Sequence, residues 1–350
     1  MDINTLLKTV IERGASDLII VASTPPMLRV SGALSAADPK PLPADEAKTL
    51  IYSMLNKEQV AAFEGTKELD CSYELKDMAR FRVNIHYQKG TVAAALRLIP
   101  TDIPTLEDLR LPKVLAELAN LERGLVLVTG PTGSGKTTTQ ACMVNMINNN
   151  SSRHIITIED PIEYVHSNKR SIIEQREVGI DTNSFDAALK RVLRQNPDVI
   201  LVGEMRDLET IQTALTAAET GHLVISTLHT NDAVQAIDRI VDVFPPYQQS
   251  QVRMQLSLSL QGIVAQQLVP KADKRGQIVA TEILLATSAV RNLIRKSASQ
   301  EIYSMLDIGA KYGMQGMDTC LKNLYQSKII SYDDALAHAI NQEHFEKIVS

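Results

Sequence analysis

The chain contains little of what secreted proteins or nucleic-acid-binding proteins commonly rely on. It has no tryptophan, only 4% aromatic residues, and three cysteines, Cys71, Cys142 and Cys320. Cysteines so few and so far apart exclude a disulfide framework and a zinc knuckle, and they favour a reducing, cytoplasmic compartment. The scarcity of aromatic side chains leaves few platforms on which nucleic-acid bases could stack.

Long apolar runs and an excess of positive charge are also missing. No segment approaches the roughly 18 uninterrupted apolar residues of a membrane helix, and the N-terminal residues lack the apolar core of a signal peptide. We therefore expect no transmembrane segment. The 36 basic and 41 acidic residues give a net charge of −5, which argues against a protein whose main task is to neutralise phosphate backbones.

What is present fits a folded protein of two or three domains in 350 residues, of which 44% are hydrophobic and 22% charged. Residues 1–98 begin with a helical pattern and continue with short β-rich runs, which predicts a small α+β domain. Residues 99–111 begin with Ile99 and two nearby prolines, Pro100 and Pro104. Because proline blocks both helices and central strands, this segment is predicted to be a linker.

Helices alternate with apolar strands after residue 112. The runs LVLV, VILV and LVIS are continuously apolar, which is typical of strands buried on both faces of a parallel sheet. Residues 112–350 are therefore predicted to form a three-layer α/β domain. From about residue 245 the pattern becomes mainly helical, which we interpret as a C-terminal helical subdomain.

A glycine-rich segment between a predicted strand and a predicted helix carries the clearest motif. The sequence GPTGSGKT at 130–137 fits the phosphate-loop pattern G-x-x-x-x-G-K-[ST]. Such a loop curves its backbone N–H groups around phosphates at a helix N-terminus. Lys136 is expected to reach the β- and γ-phosphates, and the Thr137 hydroxyl to bind Mg²⁺. The predicted nucleotide-binding residues are Gly130, Pro131, Thr132, Gly133, Ser134, Gly135, Lys136, Thr137 and Thr138.

Acidic residues follow two other predicted strands. DVILVGE ends in Glu204, a Walker B pattern in which the carboxylate can hold a Mg²⁺-bound water. IEDPIEYVH brings Glu159, Asp160 and Glu163 together, and these acids would repel one another unless a cation or a polarised water lay among them. Without the phosphate loop, each segment could equally be an acidic cap or a solvated turn.

Two histidines flank a further strand in GHLVISTLHTND. His222 precedes the apolar run and His229 follows it. A neutral imidazole in this position can report on a γ-phosphate through a hydrogen bond. Taken singly, each is as often an ordinary core or surface histidine, and no third soft ligand indicates a metal site.

Four segments, in their order and spacing, closely resemble the motifs of the type II/IV secretion ATPases. They are GPTGSGKTT, IEDPIEYVH, DVILVGEMRDLET and GHLVISTLHTND. AVRNLIRKS at 289–297 is similar to a signature of the type IV pilus retraction ATPases within that superfamily. The resemblance implies a small PAS-like N-terminal domain, a RecA-like ATPase domain with a mostly parallel sheet, and a C-terminal helical subdomain, assembled as a hexameric ring. It further implies a motor that hydrolyses ATP with Mg²⁺ to retract type IV pili in twitching motility.

The resemblance also implies roles for individual residues. Glu163 would be the general base that polarises the attacking water, and Glu204 would organise Mg²⁺ through a water. His222 would sense the γ-phosphate, and His229 would couple neighbouring subunits.

Arginines of the N-terminal domain complete a neighbour's site in this family. The matching segments ARFRVN and ALRLIP make Arg82 and Arg97 the candidate arginine fingers, with Arg80 a weaker third. The alternative for each is a strand-face arginine that covers apolar surface. The implied partners are five further copies of the chain, an inner-membrane platform protein and a paralogous retraction ATPase, but no nucleic acid. The implied location is cytoplasmic and peripheral at the inner membrane.

Two positions depart from the family pattern. Ile19 stands where members commonly have a histidine, and Lys296 stands where the retraction signature has an acid. The tetracysteine zinc insertion and the long N-terminal extension of assembly and secretion ATPases are not seen, which favours the retraction branch.

Other functions stay open from the sequence alone. The chain could be an accessory retraction paralogue, or a pilus-assembly or type II secretion ATPase. A nucleic-acid motor of recombinase or helicase type and a small-molecule kinase share similar phosphate-loop cores. The basic segment around Arg291 could be a coupling element or an ordinary solvated surface.

Overall fold

The computed structural model describes residues 2–30, 32–76 and 78–349, with every side chain in these ranges except that of Asp307. They form two compact units. The first contains Met1–Asp102 and Glu163–Val165, and the second contains Ile103–Ile162 and His166–Ser350. Val165 joins the first unit through its N–H group, which donates to the carbonyl oxygen of Pro100 at 3.4 Å. Nothing in the sequence pattern indicated that residues 163–165 would leave the second unit.

The first unit is an antiparallel sheet with helices. Its strands are β1 (Asp17–Ile20), β2 (Met27–Val30), β3 (Ala33–Ala36), β4 (Glu68–Leu75), β5 (Ala79–Gln88) and β6 (Thr91–Ile99), and its helices are α1 (Ile3–Glu12), α2 (Ala44–Tyr52) and α3 (Lys57–Thr66). The six strands are ordered β3-β2-β1-β6-β5-β4, and all pairs are antiparallel.

One face of this sheet is buried under the helices. Phe81, Val83 and Ile85 alternate along β5 and are fully buried in a core shared with α1–α3. Because successive strand residues point to opposite faces, Arg82 lies on the other face, where Arg97 of β6 is its direct cross-strand neighbour. The alternation therefore places both candidate arginine fingers on one open face.

The second unit contains the remaining elements. Its strands are β7 (Gly124–Thr129), β8 (His154–Glu159), β9 (Ile172–Glu177), β10 (Val199–Val202), β11 (Leu223–Leu228), β12 (Leu260–Pro270) and β13 (Gln277–Leu285). Its helices are α4 (Val114–Ala119), α5 (Lys136–Asn150), α6 (Phe185–Val192), α7 (Leu208–Glu219), α8 (Ala233–Asp242), α9 (Pro246–Ser259), α10 (Ser288–Arg295), α11 (Ile302–Ile308), α12 (Met317–Gln326), α13 (Tyr332–His338) and α14 (Gln342–Val349), with 3₁₀ segments at Ser299–Glu301 and Gly309–Tyr312.

The seven strands are ordered β13-β12-β7-β11-β10-β8-β9. All neighbours are parallel except β12 and β13. Alternate residues of the central strands enter two different cores: Leu127 belongs to one, and Val126 and Val128 to the other. Helices therefore cover both faces of the sheet, as the continuously apolar strands predict.

The segment predicted as a linker behaves differently in its two halves. The unit boundary falls between Asp102 and Ile103. Beyond it, Leu106 and Leu111 are buried in the same core as α4 and α5. Burying these two leucines removes apolar surface from water, so residues 103–111 are part of the second unit rather than a free connection.

The predicted helical subdomain also begins later than residue 245. Helix α9 contributes Val252 and Leu256 to the main core, and β12 and β13 extend the main sheet. A separate small core lies on these two strands and contains Met317, Leu321 and Phe345 of α12 and α14.

Arg291 of α10 is not part of a solvated basic surface. Its guanidinium donates to the carbonyl oxygens of Ser257 (2.6 Å) and Leu258 (2.9 Å), at the end of α9. It also donates to that of Ala286 (2.8 Å). Arg291 therefore caps the C-terminus of α9, whose last carbonyl groups have no partner within the helix. Among the described residues, no helix is both long enough and apolar enough to cross a bilayer.

Candidate functional site

The predicted nucleotide-binding residues, 130–138, occupy the turn after β7 and the first three residues of α5. Gly130 has a φ of 145° and Gly135 a φ of 85°, a region that glycine enters without strain. A Cβ atom on Gly130 would also collide with the carbonyl oxygen of Gln266. Helix α5 begins without a capping side chain, so its first N–H groups and its positive dipole end point into the turn. This turn is an anion-binding loop in its backbone geometry.

Side chains of the turn support the same interpretation. The Lys136 ammonium donates to the carbonyl oxygens of Gly130 (2.8 Å) and Pro131 (2.9 Å). The hydroxyl oxygens of Thr129 and Ser134 are buried, and neither has a hydrogen-bond partner in the described part of the chain. Because buried polar atoms are normally paired, these unpaired hydroxyls fit a loop that receives a polar ligand such as a nucleotide phosphate chain.

Three adjacent parallel strands end beside one another at this edge of the sheet. The phosphate loop follows β7, His229 follows its neighbour β11, and Glu204 lies shortly after β10. The Nε2 atom of His229 is 3.2 Å from Oε1 of Glu204. Its Nδ1 atom is 3.5 Å from the Oγ1 atom of Thr132. His229 thus bridges the phosphate loop and the Walker B carboxylate within one chain.

Glu204 is held in its charged form by its neighbours. Burial acts to raise the pKa of the carboxyl, but hydrogen bonds and charges from Arg206 and His229 outweigh it, and the pKa lies below its ordinary value. The Arg206 guanidinium is 2.8 Å from Oε2. A carboxylate ionised at neutral pH can orient a water or a cation.

The acidic box is divided by the fold. Glu159 ends β8 and is buried, and its Oε1 accepts hydrogen bonds from Thr157 (2.6 Å) and Gln175 (3.1 Å). Asp160 is exposed. Glu163 is exposed too, but it belongs to the first unit. Glu159 is therefore a structural residue, whereas Asp160 and Glu163 are both exposed and are assigned to different units.

His222 lies at the other edge of the sheet. It precedes β11, and its carbonyl oxygen accepts the N–H of Gly124 at the start of β7. Its Nδ1 atom is 3.0 Å from the carbonyl oxygen of Ala217. The six residues of β11 span about 20 Å, so one chain does not bring His222 to its own phosphate loop. His229 is the histidine that reaches the loop.

The two arginine-finger candidates differ in their pairing. Arg97 is 71% exposed, and its Nε atom is 2.8 Å from Oδ1 of Asp17. Burial acts to raise the pKa of Asp17, but hydrogen bonds from Ser16 and Arg97 outweigh it and lower that pKa. Among the described residues, no hydrogen-bond or ion-pair partner faces the guanidinium of exposed Arg82. Arg82 is therefore the more available of the two.

Sequence reasoning missed two residues of this site. Gln266 of β12 is fully buried, where its Nε2 donates to the carbonyl oxygen of Ser134 (2.7 Å) and its Oε1 accepts from Thr139 (3.0 Å). A polar residue inside the apolar run GIVAQQLV was the only signal of it. Arg206 was visible beside Glu204, but only the folded turn shows their ion pair.

This edge of the sheet offers few protein oxygens that a metal ion could use. In the ranges that the structure describes, no group of three or more His, Cys, Asp or Glu residues could hold a metal ion. Thr137, at the start of α5, and Glu204 offer a hydroxyl and a carboxylate oxygen. Both are hard ligands of the kind Mg²⁺ accepts, and Mg²⁺ commonly combines one or two protein ligands with water and substrate phosphates.

Comparisons with known proteins agree with this site. The sequence profile of the family described as "Type II/IV secretion system protein" matches residues 82–337. The chain is 48% identical to the type IV pilus retractation ATPase PilT of Pseudomonas aeruginosa, over 99% of this chain and 100% of that protein. It is 45% identical to the type IV pilus ATPase PilU of the same organism, over 97% of this chain and 89% of that protein.

The fold is also that of a solved relative. The crystal structure of the pilus retraction motor PilT with bound ADP superposes with a TM-score of 0.92 at 47% identity, covering 99% of both chains. The phosphate loop, the Walker B carboxylate and the bridging histidine thus occur in a chain that matches such a motor along its whole length. The chain belongs to the type II/IV secretion ATPase family and, within it, to the type IV pilus retraction ATPases.

Proposed function

We propose that this chain is a cytoplasmic motor that hydrolyses ATP to drive retraction of type IV pili, working as a homo-hexamer. The observation that carries the proposal is the row of three strand ends, where Thr132 of the phosphate loop, His229 and Glu204 are in contact. This arrangement is what an ATPase needs beside a γ-phosphate. The 48% identity to PilT over 99% of the chain supports the pilus as the structure that this motor moves.

The phosphate loop would bind the nucleotide. The N–H groups and the positive dipole end at the start of α5 attract negative charge, and the long Lys136 stem lets its ammonium exchange the carbonyl oxygens of Gly130 and Pro131 for β- and γ-phosphate oxygens. Thr137, and Glu204 through a water, would hold Mg²⁺. When bound, this cation neutralises charge on the β- and γ-phosphates.

Catalysis would need two carboxylates and an arginine from a neighbouring copy of the chain. Glu163 would accept the proton of the water that attacks the γ-phosphorus, while ionised Glu204, fixed by Arg206 and His229, orients that water. ADP leaves as the bond to the γ-phosphoryl group breaks. Arg82 of a neighbouring copy would stabilise charge on the transferring group. Arg97 is the second candidate for this role, and its guanidinium is paired with Asp17.

His222 would act at a subunit boundary, because it lies away from its own phosphate loop. Binding of ATP would close an interface by drawing a neighbour's arginine onto the γ-phosphate, and hydrolysis would release it. Residues 100–102, between the end of β6 and the first residue of the second unit, would serve as the hinge. Work would reach the pilus through an inner-membrane platform protein, so that the motor is peripheral at that membrane.

Measured ATP hydrolysis by the purified chain tests the chemistry. Lys136→Ala is expected to abolish nucleotide binding, whereas Glu204→Ala and Glu163→Gln should bind ATP but hydrolyse it at least about 100-fold more slowly. Glu209→Gln, an exposed acid on α7, is the matched control and should turn over normally. Normal turnover in either of the first two glutamate variants contradicts the assigned roles.

Mixing variants tests the shared site. Arg82→Ala and Lys136→Ala are each expected to be inactive. In a randomly mixed ring, about a quarter of the interfaces combine an intact arginine with an intact phosphate loop, so the mixture should recover activity. A mixture that stays inactive, or an Arg82→Ala protein that is fully active, contradicts an arginine finger at Arg82.

A second candidate is an accessory retraction ATPase. It is favoured by the 45% identity to PilU over 97% of the chain, only slightly below the identity to PilT. The two candidates share the chemistry and differ in whether pili still retract when this chain is inactive.

A further inference from the structure

A buried carboxylate away from the nucleotide edge joins two helices. Glu282 of β13 is only 2% exposed. Its Oε1 atom accepts the N–H of Ala233 at 2.9 Å, and the backbone N–H of Met317 lies close enough to the carboxylate to act on its pKa. Ala233 and Met317 are the first residues of α8 and α12. One side chain is therefore hydrogen-bonded to the start of α8 and lies beside the start of α12.

The two helices depend on this side chain to different degrees. Helix α12 begins after Gly316 and has no side-chain cap of its own. Helix α8 begins after Asp232, whose Oδ1 accepts the N–H of Gln235 at 2.7 Å. Glu282 adds the Ala233 N–H to this cap. Since the first four N–H groups of a helix have no partner within it, Glu282 satisfies a donor, the N–H of buried Ala233, that would otherwise be unpaired.

The α8 cap lies next to the nucleotide edge. His229, which contacts Thr132 and Glu204, is separated from Ala233 only by residues 230–232. This short connection is thus anchored at one end on the nucleotide site and at the other on Glu282.

Placing a carboxylate here is costly for the fold. Glu282 lies among apolar residues, with Asp232 and Asp318 as acidic neighbours, and burial together with these charges raises its pKa to about 7. A well-packed apolar residue usually costs less than a buried charge. The hydrogen bond from Ala233 is a compensating interaction, and the nearby Met317 N–H also acts to lower the pKa.

We propose that Glu282 is a positioning residue for ATP hydrolysis: its hydrogen bond to the start of α8 fixes His229 toward Glu204, and its place beside the start of α12 brings that position next to the C-terminal helices. The inference rests on the proposed ATPase function.

Glu282→Gln in the purified full-length chain is the main variant. It keeps the shape of the side chain but replaces one acceptor oxygen with a donor NH₂, which opposes one of the two helix N–H groups. Asp318→Asn is the matched control. Asp318 is also a buried carboxylate of this region, and it accepts the N–H groups of Ile340 (2.8 Å) and Asn341 (3.3 Å), away from residues 229–233.

We expect Glu282→Gln to lower kcat about tenfold with KM for ATP changed less than twofold, as for a displaced catalytic group. Asp318→Asn should keep kcat within about twofold, even if it lowers the urea midpoint of unfolding as much as Glu282→Gln does. In a His229→Ala background, Glu282→Gln should cause no further loss, because the two residues act through one position.

Three outcomes overturn the assignment. They are an unchanged kcat in Glu282→Gln, an equal loss of kcat in Asp318→Asn, and a Glu282→Gln loss that is fully additive with His229→Ala. Absence of ATP hydrolysis in the unmodified chain would instead refute the proposed function itself, and the inference with it.

Discussion

Glu204 and Glu282 are both shielded carboxylates, yet their surroundings move their pKa values in opposite directions. Burial acts to raise the pKa of each. At Glu204 the nearby Arg206 and His229 outweigh burial. At Glu282 the acidic neighbours Asp232 and Asp318 add to it, and backbone hydrogen bonds offset only part. The first residue is therefore prepared to carry charge at neutral pH, and the second is close to its titration point.

The Glu204 environment predicts an acid-sensitive variant. Arg206→Ala removes the guanidinium that lowers the pKa of Glu204, so that pKa should rise and the carboxylate should become protonated at a higher pH. We expect the acid limb of kcat against pH to move to higher pH, with a greater loss of kcat at pH 5 than at pH 8.

Arg191→Ala, an exposed arginine on α6, serves as the control for this measurement and should leave the profile unchanged. Parallel pH profiles for Arg206→Ala and the unmodified chain would show that Arg206 does not set the ionisation of Glu204.

The raised pKa of Glu282 predicts how stability varies with pH. Its pKa is about 7 in the fold against 4.5 ordinarily, so its contribution is fully present below about pH 4.5 and is lost as the pH rises through about 7. The loss amounts to about 3 kcal/mol. Glu282→Gln cannot ionise, and its stability relative to the unmodified chain should therefore improve by up to that amount between pH 4.5 and pH 8.

Urea unfolding of both proteins across this pH range measures the difference. Asp232, Asp318 and Tyr303 are the other titratable groups that act on this site, and they are shared by both proteins. A stability difference that is constant with pH would contradict the raised pKa.

At the scale of elements, β12 connects the phosphate loop to the rest of the sheet. Gln266 spans from this strand to both the loop and α5, with hydrogen bonds at 2.7 and 3.0 Å to Ser134 and Thr139. The neighbouring Gln267 points to the other face of the strand, where its side chain has one long contact, 3.4 Å, with the carbonyl oxygen of His338. The pair offers a comparison within one element.

Gln266→Ala should weaken both the fold and nucleotide binding. It leaves the carbonyl oxygen of Ser134 and the hydroxyl of Thr139 buried without their partner, which costs about 1–3 kcal/mol in the free energy of unfolding. Loosening the loop should raise the Kd for ADP by about three- to tenfold.

Gln267→Ala should change both quantities little. Calorimetric titration with ADP, beside urea unfolding, gives the two numbers for each variant. Equal effects of the two substitutions would contradict the role of the Gln266 side chain in fixing the phosphate loop.

At the scale of the whole molecule, the overall architecture could be predicted but several connections could not. The predicted fold class, with PAS-like, RecA-like and C-terminal helical parts, is confirmed by the TM-score of 0.92 to PilT. The strand ends carrying Lys136, Glu204 and His229 followed from apolar runs bounded by motifs, which are local signals.

Long-range pairings left no such local signal. Gln266 contacts the phosphate loop across more than 120 residues, and Glu282 contacts α8 across 49. The place of Glu163 in the first unit likewise depends on tertiary packing. The roles of Glu163, Glu204, His222, His229, Arg82 and Arg97 stay predictions, and those of the two arginines concern a neighbouring copy of the chain.

The count of surface pili and of retraction events in the source cell tests the central claim most directly. The measurement replaces Lys136 by alanine in the native gene, with Lys169→Ala, an exposed lysine outside the phosphate loop, as the control. A retraction motor without nucleotide should leave cells with more pili and no retraction, while the control cells behave normally. Cells without pili would instead indicate an assembly or secretion ATPase, and an unchanged count with normal retraction would contradict a principal role in retraction.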